Sequence, residues 1–232
     1  MRCALYFGSF NPLHKGHVAI AKYVLENCNV ESVRLVLSPQ SPFKDNTILL
    51  DPNLRLQELQ KSIAKFNREY KQEVGSLTTS DYSGTNNADA VSHNTKEAKT
   101  ENYNTKEAKT EDYNTKESKA KNKTLEISTV EFDLPRPNYT YNTLQHLKAM
   151  EPETTFLIVM GADNLAVIEK WYKGLEILQE FEVLVYPRTG YDTQALCQKY
   201  GATYLNAPLN NISSTIIREG EKNGQDMSNL RY

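Results

Sequence analysis

Short apolar stretches and longer amphipathic stretches alternate along most of this chain. Four short stretches are apolar and rich in β-branched or aromatic side chains, which is typical of strands buried on both faces of a parallel sheet. They lie at residues 3–7, 33–37, 156–160 and 183–186. Polar and apolar residues alternate at 125–130, which indicates a further strand.

Between these strands, apolar residues recur at the spacing of one helix face. The stretch 54–70 shows this most clearly, with Leu56, Leu59, Ile63 and Phe66 on one side. The same spacing predicts helices at 17–27, 142–150 and 193–200.

A strand followed by a helix, repeated along the chain, predicts an α/β fold with a doubly wound, mainly parallel sheet. In such sheets, ligands bind where the loops leave the carboxyl ends of the strands. We therefore expect the chemistry in the loops that follow Phe7, Leu37, Met160 and Tyr186.

A decamer repeat interrupts this pattern. Three successive copies occupy residues 94–103, 104–113 and 114–123, and the third has begun to diverge. These copies contain no Val, Ile, Leu, Met, Phe, Trp or Cys, so they cannot bury enough apolar surface to offset the entropy of ordering. We expect one domain over residues 1–232, with a polar, disordered low-complexity insertion at 76–123.

Composition excludes several classes of protein. The 232 residues include 27 Lys and Arg against 29 Asp and Glu, and a net charge of −2 argues against a protein built to bind nucleic acid. The three cysteines have no CxxC spacing, so a disulfide framework and a thiolate metal site are both disfavoured. No apolar stretch approaches the roughly 20 residues that span a bilayer. We expect a cytoplasmic protein without membrane contact, and a homo-oligomer stays open.

The first motif, GSFNPLHKGH at residues 8–17, follows the first predicted strand. Gly8 allows close backbone approach, and the helix that follows offers free N–H groups and a positive dipole end to an anion. His14 and His17 are three residues apart, so both can face one phosphate. For these residues alone, an ordinary turn with two surface histidines is an equal alternative. A zinc site is a third interpretation, although no nearby Cys, Asp or Glu completes it.

The second motif is ISSTIIR at residues 212–218. Ser213, Ser214 and Thr215 are of the types that cap helix N-termini, so hydroxyl and backbone N–H groups would converge at one point. Arg218 follows Ser214 by one turn and could offer a planar donor to phosphate oxygens. A plain capped helix with an exposed arginine is the alternative for this motif alone.

Together, a strand followed by GSFxPxHxGH and a C-terminal ISSTxIR resemble the HxGH nucleotidyltransferase family, whose members transfer a nucleotidyl group from a nucleoside triphosphate to a phosphate. Four further segments are similar to those of the nicotinate-nucleotide adenylyltransferases in this family. They are SPQSPFK at 38–44, PNYTYNTL at 137–144, GADN at 161–164 and the pair Trp171 and Tyr172. The resemblance covers residues 1–220 apart from the insertion and implies a Rossmann-like fold.

The resemblance also implies roles for particular residues. The expected function is adenylyl transfer from ATP to nicotinate mononucleotide, giving deamido-NAD and pyrophosphate in NAD biosynthesis. The implied catalytic residues, which bind the ATP phosphates, are His14, His17, Lys44 and Arg218. The implied further ATP contacts are Gly8, Ser9, Phe10, Gly16, Ile212, Ser213, Ser214 and Thr215. The implied nicotinate mononucleotide contacts are Thr140, Gly161, Asp163, Trp171 and Tyr172, with the Trp171 ring stacked on the pyridine.

Mg²⁺ would be held mostly by the substrate phosphates, with no protein metal site. Without the resemblance, Trp171 is as easily a core residue and Asp163 a helix cap. Three features depart from the family: the long insertion, Phe43 where the family often has His, and the lack of a further apolar segment after the last helix, which predicts a less well packed C-terminal helix. Nicotinamide mononucleotide or phosphopantetheine adenylyltransferase, or a non-catalytic nucleotide-binding regulator, are the alternative functions.

Overall fold

A six-stranded sheet forms the centre of the protein in the computed structural model, which describes residues 1–39, 50–80, 122–209 and 211–232, with only the backbone path at 77–80. The strands are β1 (Arg2–Gly8), β2 (Ser32–Leu37), β3 (Thr124–Ser128), β4 (Thr155–Gly161), β5 (Glu182–Tyr186) and β6 (Thr203–Tyr204). The helices are α1 (Lys15–Asn27), α2 (Pro52–Ser80), α3 (Thr140–Met150), α4 (Ala162–Leu165), α5 (Gly174–Glu180), α6 (Thr193–Tyr200) and α7 (Ser214–Lys222).

All neighbouring strands pair in parallel, in the order β3-β2-β1-β4-β5-β6. The predicted doubly wound parallel sheet is therefore confirmed. The order reverses between β1 and β4, and the crevice outside the carboxyl ends at such a reversal is where α/β sheets bind their ligands. The loops after β1 and β4 lie on the two sides of this crevice.

Each face of the sheet carries its own apolar layer. Along β1, Ala4 and Tyr6 pack with α1 and α2, whereas Cys3 and Leu5 pack with α3, α5 and α6 on the opposite face. This alternation explains why the strands read as continuous apolar runs, since both faces are buried. The cysteines Cys3, Cys28 and Cys197 form no disulfide.

The predicted elements match the observed ones closely at their centres and less well at their ends. The helix predicted at 193–200 has those bounds, because the Asp192 carboxylate caps the Ala195 N–H at 3.0 Å and Gly201 ends the helix at φ 67°. The strand predicted at 125–130 ends at Ser128, and Val130 begins a 3₁₀ turn instead.

The helix predicted to end at residue 70 runs on to Ser80, so the insertion boundary expected at Ser76 falls inside α2. Apart from Asn122 and Lys123, the last two residues of the third copy, the decamer copies lie outside the described residues, as does Lys44.

The chain after α7 packs back onto the domain, which contradicts the expectation of a poorly packed C-terminal helix. Met227 fills the space beside Gly220 of α7. The ring of Tyr232 meets the edge of Phe66 in α2 at 6.4 Å, and its phenol donates to Glu69 at 2.8 Å. Its backbone N–H reaches the Leu13 carbonyl at 3.4 Å, beside the first motif. The residues after α7 thus pack against the domain, although no apolar run in the sequence predicts this packing.

Candidate active site

The two histidines of the first motif cap α1 and bind each other's backbone. The Nδ1 atom of His14 accepts from the backbone N–H of His17, and Nδ1 of His17 accepts from the N–H of His14, both at 3.3 Å. The rings stack with centroids 3.6 Å apart. This is the reciprocal geometry of a capping box, with imidazoles in the places of Ser and Glu. Because both Nδ1 atoms accept, the neutral rings carry their proton on Nε2, which makes each Nε2 a donor.

Burial keeps His14 neutral. The residue is 4% exposed, and burial, helped by the positive charge of Arg188, lowers its pKa to about 4. At pH 7 its ring therefore acts as a preoriented N–H dipole in the absence of a ligand. An anion placed beside it would raise that pKa again.

The loop between β1 and α1 folds around Phe10. Its ring is buried, meets Tyr6 edge-on at 5.9 Å and lies beside His17 at 5.1 Å. Gly8 makes this possible, because a Cβ there would lie 2.9 Å from the ring. Phe10 itself has φ 42°, in the left-handed region. The phenylalanine thus braces the loop from inside, with its side chain facing the core.

The second motif begins α7 and docks on the loop of the first. The Ser213 hydroxyl accepts from the Ile216 N–H at 3.2 Å and caps the helix. The Ser214 hydroxyl donates to the Pro12 carbonyl at 3.1 Å. The Ser214 proton is thus used within the protein, whereas the Ser213 hydroxyl accepts there and keeps its own proton for a further partner. The N–H groups of Ser214 and Thr215, which an α-helix does not bond internally, are the donors that the helix start can offer to an anion.

Arg218 joins the two motifs directly. Its guanidinium donates to the Asn11 carbonyl at 2.7 Å and to the Thr215 hydroxyl at 3.1 Å. Residues 207 positions apart are therefore fixed beside each other, and the start of α7 faces the start of α1. The two motifs therefore lie side by side in the structure.

Between the two helix starts lies a narrow cleft. Its lining residues are Tyr6, His14, Gly16, His17, Ile20, Tyr186, Pro187, Arg188 and Ile212. Both predicted histidines, Gly16 and Ile212 therefore meet in one place. A wider cleft adjoins it, lined by Asp163, Arg188, Thr189, Tyr191, Asn211 and Ser213. Arg188 lines both clefts and connects them.

Arg188 was not singled out from the sequence. It follows β5, in the loop after Tyr186 where we expected chemistry, and its guanidinium donates to the Tyr186 phenol at 3.2 Å. Its Nε lies 3.4 Å from the Asp163 carboxylate. Burial lowers the pKa of Arg188. Its electrostatic interactions with Tyr186 and Asp163 and its hydrogen bond with Tyr186 raise this pKa by more than burial lowers it, so the net shift is upward. This fixed cation faces both clefts beside the two histidines.

A third cleft lies near the carboxyl ends of β1 and β4. Its lining residues are Tyr6, Phe7, Thr140, Ile158, Val159, Met160, Asn164, Trp171 and Tyr186. Thr140 and Trp171, two of the five implied mononucleotide contacts, both line this cleft. Tyr172 is absent from this lining, is 47% exposed, and stacks on Tyr139 at 4.8 Å.

Gly161 and Asp163 lie at the end of β4, on the side of Arg188 and Ser213. A Cβ on Gly161 would lie 2.2 Å from the Asp163 carboxylate and 3.0 Å from Arg188 Nε, so the glycine leaves room for this charge pair. The structure therefore groups Asp163 with the cleft of the second motif, apart from Thr140 and Trp171.

The sequence model of the cytidylyltransferase-like family matches residues 5–220, which includes both motifs. The chain belongs to this family. A protein of Flavobacterium psychrophilum named "Probable nicotinate-nucleotide adenylyltransferase" is 32% identical over 99% of this chain and 91% of its own length. One of the same name from Bacteroides fragilis is 29% identical over 100% and 86%.

A solved structure has the same fold as this chain. The Plasmodium falciparum nicotinic acid mononucleotide adenylyltransferase complexed with NaAD superposes with a TM-score of 0.60 over 98% of this chain and 87% of that one, at 15% identity. The resemblance inferred from the two motifs is confirmed, as is the enzyme class of nucleotidyltransferase.

Two further observations concern metal binding and the membrane. Among the residues that the structure describes, no three His, Cys, Asp or Glu side chains lie close enough to hold a metal ion. The same residues contain no helix that is both long and apolar enough to cross a membrane.

Proposed function

We propose that the chain transfers the adenylyl group of ATP to the phosphate of nicotinate mononucleotide, giving deamido-NAD and pyrophosphate in NAD biosynthesis. The observation that carries this proposal is the convergence of two helix starts, α1 with its paired histidines and α7, on one cleft at the point where the strand order reverses. Its relatives and the fold support the same activity. ATP would occupy the clefts that share Arg188, and nicotinate mononucleotide the cleft of Trp171.

The chemistry asks for charge stabilisation more than for proton transfer. A phosphate oxygen of the mononucleotide attacks the α-phosphorus of ATP, and the bond from that phosphorus to the oxygen of the departing pyrophosphate breaks. The attacking oxygen is already anionic near pH 7, so no strong general base is needed. The main barrier is repulsion between anions, which positioned donors lower.

The donors present fit that task. The Nε2 groups of His14 and His17 and the N–H groups at the start of α7 would hold the phosphates, and Arg188 adds a permanent charge. Lys44, outside the described residues, is proposed as a further phosphate contact on the resemblance alone. Mg²⁺ is proposed to enter as part of the MgATP substrate, held mostly by the substrate phosphates.

The experiment measures pyrophosphate release with MgATP and each of three acceptors: nicotinate mononucleotide, nicotinamide mononucleotide and phosphopantetheine. We expect the nicotinate compound to be strongly preferred. Preference for another acceptor would move the substrate assignment, and ATP binding without pyrophosphate release would favour a non-catalytic regulator.

The His17→Asn variant tests the site. Asparagine keeps an acceptor near the position of Nδ1 but lacks Nε2, so kcat should fall by about 10²–10³ with little change in unfolding temperature. His146→Asn, which alters an exposed histidine on α3, is the matched control. Equal turnover in the two variants would remove His17 from the mechanism.

A further inference from the structure

Arg55, in the first turn of α2, is almost completely buried at 1% exposure. Among the described residues, the partners of its guanidinium are four backbone carbonyls. Nη1 reaches the oxygens of Ser9 at 2.8 Å and Ser38 at 2.9 Å, Nη2 that of Pro39 at 2.7 Å, and Nε that of Leu50 at 3.0 Å. Four short charge-assisted hydrogen bonds on one planar group form a well-determined arrangement.

Packing alone does not account for an arginine at this position. Burying a charge is costly, and an apolar side chain of similar volume often serves a core equally well or better. None of the ion pairs among the described residues includes Arg55, and the neighbouring Asp51 carboxylate is used to cap α2 through the N–H groups of Asn53 and Leu54. Burial lowers the pKa of Arg55, but a guanidinium remains charged at any pH at which an enzyme works.

The carbonyls that Arg55 binds belong to two loops of the candidate active site. Ser9 lies between Gly8 and the histidines, in the loop after β1, and Ser38 and Pro39 leave β2 at the same edge of the sheet. Pro39 and Leu50 also flank the stretch 40–49, which contains Lys44. The arginine thus ties together backbone from every side of this corner of the sheet.

We propose that Arg55 is a positioning residue that sets the loop after β1, and with it the His14 and His17 pair, against the loop after β2. It touches no substrate. It acts through the carbonyls of Ser9, Ser38 and Pro39, which a single planar fork can hold at fixed separations. Its effect on catalysis rests on the proposed adenylyl transfer, whereas its effect on the two loops does not.

The fork geometry makes lysine a sharp test. An ammonium keeps the charge but is a point donor on a flexible stem, so it cannot hold carbonyls on several sides in one plane. Small displacements of catalytic groups, about 1 Å, can cost about 10²-fold in rate. We expect Arg55→Lys and Arg55→Met both to lower kcat by about 30-fold to 100-fold, with a smaller change in the KM for nicotinate mononucleotide.

Asn67→Ala supplies a matched control on the same helix. The Asn67 amide exchanges two hydrogen bonds with the backbone of Leu125, at 2.8 and 2.9 Å, at the amino end of β3 and away from the site. Its loss should lower the unfolding temperature without changing kcat. A merely structural role for Arg55 would give the same result as Asn67→Ala when kcat is measured well below each unfolding temperature.

Backbone hydrogen exchange gives a second measurement that needs no activity. In both Arg55 variants, the amides at residues 9–17, apart from Pro12, and at residues 37–38 should exchange at least tenfold faster than in the wild type, whereas in Asn67→Ala they should not. If the wild type releases no pyrophosphate, the proposed function fails and the exchange result still decides the role of Arg55. The proposal would be overturned if Arg55→Lys and Arg55→Met exchanged the amides of both loops at the wild-type rate. It would also be overturned if the wild type is active and the kcat of the variants lies within threefold of the wild-type value.

Discussion

Replacement of His14 by asparagine separates the two properties that the structure gives this histidine. Asparagine is among the best N-cap residues, and its side-chain oxygen can accept the His17 N–H as Nδ1 does now. The variant lacks the Nε2 donor, and it no longer titrates. Stability and turnover should therefore respond in different ways, and the pH at which each is measured matters.

The effect on stability follows from the lowered pKa of His14. Its pKa is about 4 in the folded protein and 6.5 in the unfolded chain, so between these values the unfolded state binds more protons. The folded state therefore loses stability as the pH falls from 6.5 towards 4. Proton linkage gives a loss of about 2 kcal/mol at pH 5 relative to pH 8 for this group. His14→Asn should lack that part of the pH dependence. Its free energy of unfolding should therefore equal that of the wild type at pH 8 and exceed it at pH 5.

The effect on turnover has the opposite sign. Loss of one preoriented donor to a developing charge costs about 10²–10³ in kcat. Urea unfolding at pH 8 and pH 5, with pyrophosphate release at pH 7.5, measures both. Parallel pH dependence in the two proteins would show that the His14 pKa is not depressed. A kcat within threefold of wild type would show that Nε2 does not act on the phosphates.

Two further substitutions test the other clefts. Trp171→Leu should raise the KM for nicotinate mononucleotide by about tenfold to hundredfold, the equivalent of about 1–3 kcal/mol of ring stacking, and leave that for ATP within about twofold. Tyr172→Leu should change neither, and a larger effect there than at Trp171 would contradict the placement of the two rings. Gly161→Ala should displace the Asp163 carboxylate and raise the KM for ATP by about tenfold. The added methyl group should also lower the free energy of unfolding by about 1–3 kcal/mol, the usual cost of overpacking. Gly75→Ala, where a Cβ meets nothing within 4 Å, is its control in the same kinetic and unfolding assays.

The sheet could be predicted because its strands are buried on both faces. The apolar run at 156–160 lies wholly within β4, and the loops named after Phe7, Met160 and Tyr186 do line the clefts. β6 could not be predicted in this way, because Thr203 and Tyr204 are too few to show a period. The extension of α2 to Ser80 was hidden by a polar sequence that resembles the start of the insertion.

Two arginines near the candidate site, Arg55 and Arg188, illustrate a different limit. Position 55 lies four residues before Leu59, on the apolar side of α2, but an arginine there does not by itself show that its guanidinium is buried. Its partners are carbonyls, which carry no sequence signal of their own. Arg188 acts through Asp163 and the Tyr186 phenol, and β4 and β5 must pair before these come together. The motifs located the site, but only the fold could reveal the charges around it.

The loop after β1 suggests how this site separates holding from catalysis. Three of its carbonyls are bound by side chains of other elements: Ser9 by Arg55 of α2, Asn11 by Arg218 of α7, and Pro12 by the Ser214 hydroxyl. Carbonyl oxygens are acceptors that would repel an anionic substrate, so engaging them with arginines and a hydroxyl removes a cost from the anion site. The same contacts place the starts of α1 and α7 beside each other. The permanent charges of Arg55 and Arg218 hold the backbone of the loop. His14 is neutral when no ligand is bound, so it can gain a proton when an anionic substrate binds.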